Sequence, residues 1–182
     1  MKKILMIVGS LRKASFNAQL AARVETLLSD RAEIEYLDFS ALPFMDQDLE
    51  YPVPESVAKA REAVLNSDGV WIFSPEYNYS IPGGLKNLLD WLSRPVDPTN
   101  RQSPSALRGK KVTVSAAAGK SRAAGVRRSL EALLQIMSME LVGGMGTGVL
   151  LDTEAFQSGK LSLSAEEKEA LANQAESFLA LL

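Results

Sequence analysis

Residues 4–17 of the chain are ILMIVGSLRKASFN, an apolar run that stops at Gly9 and passes directly into a polar turn. The apolar part predicts a strand over residues 3–8 that is covered on both faces, because polar and apolar side chains do not alternate along it. Apolar residues at helical spacing follow the turn and predict a helix from about Ser15 to Asp30. This order of strand, turn and helix predicts the first unit of an α/β domain.

The turn between this strand and this helix has the composition of an anion site. The free N–H groups and the positive dipole end of a helix amino terminus favour a phosphate group. Arg12 could add a bidentate contact. Neutral hydrogen bonds could come from Ser10, Ser15 and Asn17. A simpler interpretation makes Ser15 an N-cap and Arg12 a surface charge, and the turn by itself leaves both interpretations open.

Two well-known phosphate fingerprints are absent from this turn. It has neither the three glycines of the dinucleotide loop nor the Gly-Lys-Ser/Thr of the P-loop. If the turn binds phosphate, it therefore does so mostly with side chains.

Composition limits the chemistry that the chain can perform. Its 182 residues suffice for one domain with a well-developed core, and 46% hydrophobic with 23% charged residues is typical of a globular protein. The chain has no cysteine, which excludes disulfides and thiolate chemistry, and no histidine, which excludes imidazole acid–base catalysis. Histidine- and cysteine-based metal sites are excluded with them, so we expect no metal centre. Among the remaining routes, a bound cofactor fits a phosphate site best.

Charge and hydropathy set expectations for partners and location. A net charge of −2 gives no reason to expect nucleic acid or an anionic membrane as a partner. The amino terminus lacks the features of a targeting signal, because its apolar run is short and no small-residue cleavage site follows. No segment reaches the length of a membrane span. We therefore expect a cytoplasmic protein.

Strands and helices alternate through the rest of the chain. Further strands are predicted at residues 33–39, 69–73, 111–115 and about 140–142, and further helices at residues 55–66, 85–93, 124–137 and 164–182. Neither a linker nor an internal repeat is visible, so residues 1–182 are expected to form one domain. The pattern predicts a doubly wound, five-stranded parallel sheet between two layers of helices, a three-layer α/β/α architecture.

Three unusual turns follow the first, third and fourth predicted strands, at residues 9–17, 74–84 and 116–121. In the flavodoxin-like strand order these strands are neighbours, so the turns are expected to converge on one ligand site. The second turn combines prolines, tyrosines and Gly83-Gly84, and such a rigid aromatic turn suits a planar ring with a polar rim, such as isoalloxazine. The alternative is a rigid connector whose tyrosines pack against another subunit.

Three motifs carry a resemblance to a known family. The chain contains GSLRxxSxN at residues 9–17, SPEYNYSIPGGLKN at residues 74–87 and DWLSR at residues 90–94. This combination resembles the NADPH-dependent FMN reductase family, which includes bacterial quinone, chromate and azo-dye reductases. The resemblance covers most of the chain and is weaker after Arg94. The turn at residues 119–125 departs from the family pattern.

The resemblance implies a single flavodoxin-like domain over residues 1–182 that binds FMN non-covalently. Three groups of residues would form the FMN site. The phosphate would be held by Ser10, Arg12, Ser15, Phe16 and Asn17, and the ring would be lined by Pro75, Glu76, Tyr77 and Asn78. The third side of the site would be closed by Ser115 and Gly119. No paired carboxylate or base lies near Glu76 in the sequence, which favours a structural or interface role for its side chain.

The implied activity is that of an NAD(P)H-dependent oxidoreductase without a catalytic side chain of its own. NADPH or NADH would reduce bound FMN, which would then reduce a quinone, an azo compound, chromate or a flavin in a ping-pong scheme. Candidates for the 2′-phosphate of NADPH are Lys13, Lys120 and Arg122, although surface solvation explains these residues equally well. Members of the family commonly form homodimers or homotetramers.

An alternative from another class is a flavodoxin-type electron carrier, or a flavin-binding protein without turnover of its own. Carriers tend to be strongly acidic so that they dock on basic partners. The balance of 20 basic to 22 acidic residues disfavours a carrier. The acceptor and the preference between NADPH and NADH stay open.

Overall fold

Six strands form one parallel sheet in the computed structural model, which describes residues 1–97 and 99–182. The strands are β1 (Lys2–Val8), β2 (Ala32–Tyr36), β3 (Gly69–Ser74), β4 (Lys111–Ala118), β5 (Glu140–Leu141) and β6 (Thr147–Leu150). Their order is β2-β1-β3-β4, and both β5 and β6 pair with the outer edge of β4. The predicted order, with β1, β3 and β4 as neighbours, is confirmed.

Helices cover both faces of this sheet. They are α1 (Phe16–Leu28), α2 (Glu55–Leu65), α3 (Gly83–Leu92), α4 (Ala124–Ile136), α5 (Thr153–Ser158) and α6 (Ala165–Leu181). Buried side chains of α2, α3 and α4 pack on one face, and those of α1, α5 and α6 pack on the other. Alternate residues of the strands serve the two faces, so that Val70 and Ile72 belong to the first core and Trp71 and Phe73 to the second. The three-layer architecture is therefore confirmed.

The outer edge of the sheet differs from the prediction of one strand near residues 140–142. From Glu140 to Thr147 the chain advances seven residues, while β4 advances only four between their partners Lys111 and Ser115. The surplus residues bulge out of the sheet. Glycines 143, 144 and 146 all have positive φ, a conformation that glycine adopts without steric penalty. The predicted strand near residues 140–142 is thus β5, and β6, which follows the glycine-rich bulge, is an additional strand that the sequence did not predict.

The fourth strand is also longer than predicted. The residues Ala116, Ala117 and Ala118 resemble a small-residue turn in the sequence, but they continue β4 and pair with residues 148–150 of β6. Ala116 and Ala117 are buried between the two helical layers. The carboxyl end of β4 therefore lies at Ala118, three residues beyond Ser115.

A buried polar network joins α6 to the centre of the sheet. Ser115 Oγ accepts a hydrogen bond from Trp71 Nε1 at 3.0 Å and donates to Gln174 Oε1 at 3.0 Å. Gln174 Nε2 donates to Thr113 Oγ1 at 2.7 Å and to the carbonyl oxygen of Val114 at 2.8 Å. Because these buried groups satisfy one another, the network fixes α6 on the sheet without leaving its polar atoms unpaired.

Within residues 1–97 and 99–182, no helix combines the length and the apolar character needed to cross a membrane.

The glycine-rich bulge provides a test of the fold. A Cβ at Gly146 would overlap the carbonyl oxygen of Val114, whereas a Cβ at Gly109 would meet nothing within 4 Å. Both residues have a left-handed φ, so Gly109→Ala should lose about 1–2 kcal/mol of unfolding free energy and serves as the control. Gly146→Ala must also displace backbone, and we expect a loss above about 3 kcal/mol in urea titrations. Equal losses in the two variants would contradict the packing described for β4 and the bulge.

Candidate functional site

The carboxyl ends of β1, β3 and β4 surround a cavity of about 210 Å³. The turns that follow β1 and β3 and the end of β4 all contribute to its walls, so the predicted convergence of three turns is observed. Nine of the eleven residues predicted for the site line this cavity: Ser10, Arg12, Ser15, Phe16, Asn17, Pro75, Glu76, Tyr77 and Gly119.

The turn after β1 combines a capped helix with unused donors. Ser15 is the N-cap of α1, where its Oγ accepts from the N–H groups of Asn17 at 3.2 Å and Ala18 at 3.3 Å. An acceptor role leaves the hydroxyl hydrogen of Ser15 free to donate, and the hydroxyl of Ser10 is placed similarly beside the N–H of Arg12. Among the described residues no carboxylate pairs with the exposed guanidinium of Arg12. The capping interpretation and the anion interpretation are therefore compatible here.

The side chain of Asn17 mainly stabilises the fold. Its Nδ2 donates to the carbonyl oxygen of Ala117 at 3.2 Å, and its Oδ1 accepts from the N–H of Ala117 at 2.9 Å. The side chain is buried, with 2% of its surface exposed. This two-point bond ties the amino end of α1 to the end of β4. Asn17 thus shapes the site and retains at most one N–H for a ligand.

Glu76 ties the second turn to the third. Its Oε1 accepts from Ser121 Oγ at 2.6 Å, and its Oε2 accepts from the N–H of Val126 at 2.9 Å. Val126 lies in the first turn of α4, whose own N-cap residue, Ala123, offers no side-chain bond. The carboxylate of Glu76 therefore acts as a remote N-cap and places its charge at the positive end of the helix dipole. Gly125 permits this approach, because a Cβ there would lie 2.8 Å from Oε2 of Glu76.

The third turn is also held by α6 and by the bulge. Arg122 Nη1 donates to Oε1 of the buried Glu167 at 3.2 Å. Arg127 donates from Nη1 to the carbonyl oxygen of Gly146 at 2.9 Å. Burial lowers the pKa of Arg127, the charge of Glu76 opposes that effect, and the group stays a cation at neutral pH. Arg122 is thus engaged in the fold, which leaves Lys120 as the free cation of this turn among the described residues.

The second turn ends in a tight reverse turn that exposes two tyrosines. Tyr77 and Ser80 exchange backbone hydrogen bonds of 3.2 and 3.0 Å, and Asn78 and Tyr79 between them have φ of +52° and +61°. Positive φ at both central positions defines a type I′ turn. Tyr77 and Tyr79 are 52% and 78% exposed. Asn78 lies at the exposed tip and is not among the residues that line the cavity, in contrast to the prediction for it.

Ser115 also lies away from the cavity, and the structure corrects its prediction as a residue that closes the third side. Its hydroxyl is fully buried between Trp71 and Gln174, in the core below α6. The error follows from the length of β4, because the strand runs on for three alanines and the cavity is lined by Ala117, Ala118 and Gly119 instead.

The cavity has a fourth side that was not predicted from the sequence. Leu151 and Phe156 line it, and the ring of Phe156 packs edge-to-face on Phe16 with 5.8 Å between ring centroids. Phe156 belongs to α5, which begins at the N-cap Asp152 and ends at Gly159 with φ +69°. Those two end signals are present in the sequence and could have identified this short helix.

Comparison with known proteins gives a family and several relatives. The family model described as NADPH-dependent FMN reductase matches residues 2–150. A 2-hydroxy-1,4-benzoquinone reductase of Burkholderia sp is 43% identical over 93 residues, and a quinone reductase of Escherichia coli (strain K12) is 42% identical over 95 residues. These matches cover 51% and 50% of this chain and the same shares of the relatives. The chain therefore spans about half the length of the curated relatives it matches.

A solved structure is similar over nearly the whole chain. It is FerB, a flavoenzyme NAD(P)H:(acceptor) oxidoreductase from Paracoccus denitrificans, with a TM-score of 0.84 and 28% sequence identity. The similarity covers 99% of this chain and 96% of that chain. The likeness therefore extends over the segment that follows residue 150 as well.

The remote cap on α4 can be tested by Glu76→Gln. The amide keeps the size of the side chain but removes its charge and one of its two acceptor oxygens, so we expect a loss of about 1–2 kcal/mol in unfolding free energy. Glu62→Gln, which changes an exposed residue of α2, is the control and should change stability by less than about 0.5 kcal/mol. Equal stability of both variants in urea titrations would show that Glu76 does not cap α4.

Proposed function

We propose that this chain, which belongs to the NADPH-dependent FMN reductase family, is an FMN-dependent NAD(P)H oxidoreductase. Its electron acceptors would be quinones or similar compounds. The family model confirms the resemblance carried by the three sequence motifs. Similarity to proteins named as quinone reductases supports a quinone as the acceptor class. The family model matches residues 2–150, and the activity is proposed for the whole chain.

One observation supports the proposal most strongly: anion donors and a turn that contains Tyr77 line the same cavity. The amino end of α1, the hydroxyls of Ser10 and Ser15 and the guanidinium of Arg12 suit a terminal phosphate. Beside them, Pro75 and Tyr77 offer flat apolar surface for a ring. A Cβ at Gly119 would meet nothing within 4 Å, so the backbone there is open to a ligand. The residues present therefore fit a phosphorylated flavin.

The roles of the residues follow from these positions. Ser10, Arg12 and Ser15 would hold the phosphate, and Pro75, Tyr77 and Gly119 would line the ring. FMN, when bound, would supply the transfer of reducing equivalents from NAD(P)H to the acceptor. Asn17 and Glu76 position the walls of the cavity, because their hydrogen bonds to Ala117, Ser121 and Val126 hold the walls in place before a ligand arrives. Such preorganisation favours binding of a rigid, flat ligand.

We further propose that the chain assembles as a homodimer or homotetramer with the second turn near the subunit contact. The exposure of Tyr77 and Tyr79 in the second turn, 52% and 78% of their surfaces, supports this placement, and Leu11 in the first turn is 60% exposed. Exposed aromatic residues are enriched in protein interfaces. A cytoplasmic location stays a prediction from the sequence.

The activity is tested with the purified protein under anaerobic conditions. A bound yellow chromophore should be bleached by NADPH or NADH and should recover its colour when benzoquinone is added. Steady-state rates with NADPH and benzoquinone should give parallel double-reciprocal lines, as expected when both bind in turn at one site. A flavin that neither nicotinamide nucleotide bleaches would contradict the proposal and favour the electron carrier. Intersecting lines would contradict the shared site.

The phosphate contact is tested by Arg12→Ala. A hydrogen bond to a charged group contributes about 1.5–3 kcal/mol, so FMN affinity of the flavin-free protein should fall by about tenfold or more. Affinity for riboflavin, which lacks the phosphate, should change little. Arg108→Ala is the matched control, since this exposed arginine precedes β4 at the opposite edge of the sheet. Unchanged FMN affinity in Arg12→Ala, measured by calorimetry, would refute the assignment of the phosphate to this turn.

A further inference from the structure

We propose that Phe156 makes the site selective for FMN over FAD, an inference that rests on the proposed function. Its ring lines the cavity beside the donors at the amino end of α1, so a dinucleotide that extends from the phosphate site on this side would meet it. Phe156 lies outside residues 2–150, the part of the chain that matches the family. Its role therefore depends on the carboxyl-terminal segment, beyond the residues that the family model matches.

The position of Phe156 is beside the amino end of α1. Its ring packs edge-to-face on Phe16, which directly follows the N-cap Ser15. Phe16 is buried, but Phe156 leaves 61% of its surface exposed while lining the cavity. The exposed part of the ring is therefore an apolar wall next to the anion donors.

The wall is fixed by α1 itself. Gln19 Nε2 donates to the carbonyl oxygen of Gly159 at 2.9 Å, and Gln19 Oε1 accepts from the N–H of Leu161 at 2.8 Å. These bonds clamp the segment that follows α5 to the helix that carries the anion site. At its other end, α5 is closed by the bond from the N–H of Ala155 to Asp152 Oδ1 at 2.8 Å. The Gln19 bonds thus tie the carboxyl end of α5 to α1, and the N–H of Leu151, just before α5, donates to the carbonyl oxygen of Ala118 in β4 at 2.7 Å.

The chemistry of the two flavins differs at this wall. The terminal phosphate of FMN carries up to two negative charges, which suits the helix dipole and Arg12. The corresponding phosphate of FAD is linked to a second phosphate and carries one charge. The second phosphate and the adenosine would have to pass an apolar ring, on a helix whose first residues include the exposed acids Asp152 and Glu154. Like charge and lost hydration both oppose that extension.

The test measures flavin affinities rather than turnover. Flavin-free wild type, Phe156→Ala and Phe156→Leu are titrated with FMN and FAD by calorimetry. Wild type should bind FMN more tightly than FAD. Phe156→Ala should lower the ratio of FMN to FAD affinity by about tenfold, the scale expected when an apolar group is removed from a binding wall. Phe156→Leu should lower the ratio by a smaller factor, because leucine keeps part of the wall.

Leu65→Ala is the control, since Leu65 is 53% exposed and lies at the carboxyl end of α2. This end of α2 leads into the start of β3, at the end of the sheet opposite the cavity. The affinity ratio of this variant should equal that of wild type. An unchanged ratio in both Phe156 variants, with FMN still bound, would overturn the inference and leave the proposed function intact. Failure of the wild type to bind either flavin would instead overturn the proposed function.

Discussion

The site depends on two side chains that bridge its turns. Asn17 joins the start of α1 to Ala117 at the end of β4, and Glu76 joins the turn after β3 to the first turn of α4. Parallel strands bring these three turns to one edge of the sheet, but strand pairing alone fixes neither the distance between the turns nor their orientation. The hydrogen bonds of Asn17 and Glu76 fix both the distance and the orientation. Both residues belong to the sequence motifs at residues 9–17 and 74–87. Asn17 and Glu76 therefore both hold the fold together and line the cavity.

Rigidity of this kind determines what the cavity can do. A chain without histidine or cysteine has few side chains suited to proton or group transfer at neutral pH. What it offers is a fixed frame: a helix amino terminus with an exposed arginine beside it, a turn with flat aromatic surface and a fourth wall from α5. Such a frame binds and orients a cofactor, and the chemistry then belongs to the cofactor. The proposed reductase activity rests on a protein frame that positions the cofactor and on membership of the family.

The sequence predicted the sheet order and the three layers, and nine of its eleven predicted site residues line the cavity, because those features depend on local patterns. Continuous apolar runs indicate central strands, and parallel strands bring their turns together. The bridging roles of Asn17 and Glu76 were beyond such patterns, since their partners are 100 and 50 residues away. Ser115 was misplaced because alanines are equally compatible with a turn and with a tightly packed strand. The helix α5 was missed although Asp152 and Gly159 mark its ends.

The central claim is that the anion site at the start of α1 and the aromatic turn after β3 hold one phosphorylated flavin. A crystal structure of the protein with FMN tests this claim most directly, by locating the phosphate. The phosphate should lie beside Ser10, Arg12 and Ser15, with the ring against the turn that contains Tyr77. A phosphate located elsewhere, such as the 380 Å³ groove that Arg23 and Lys168 line between α1 and α6, would contradict it.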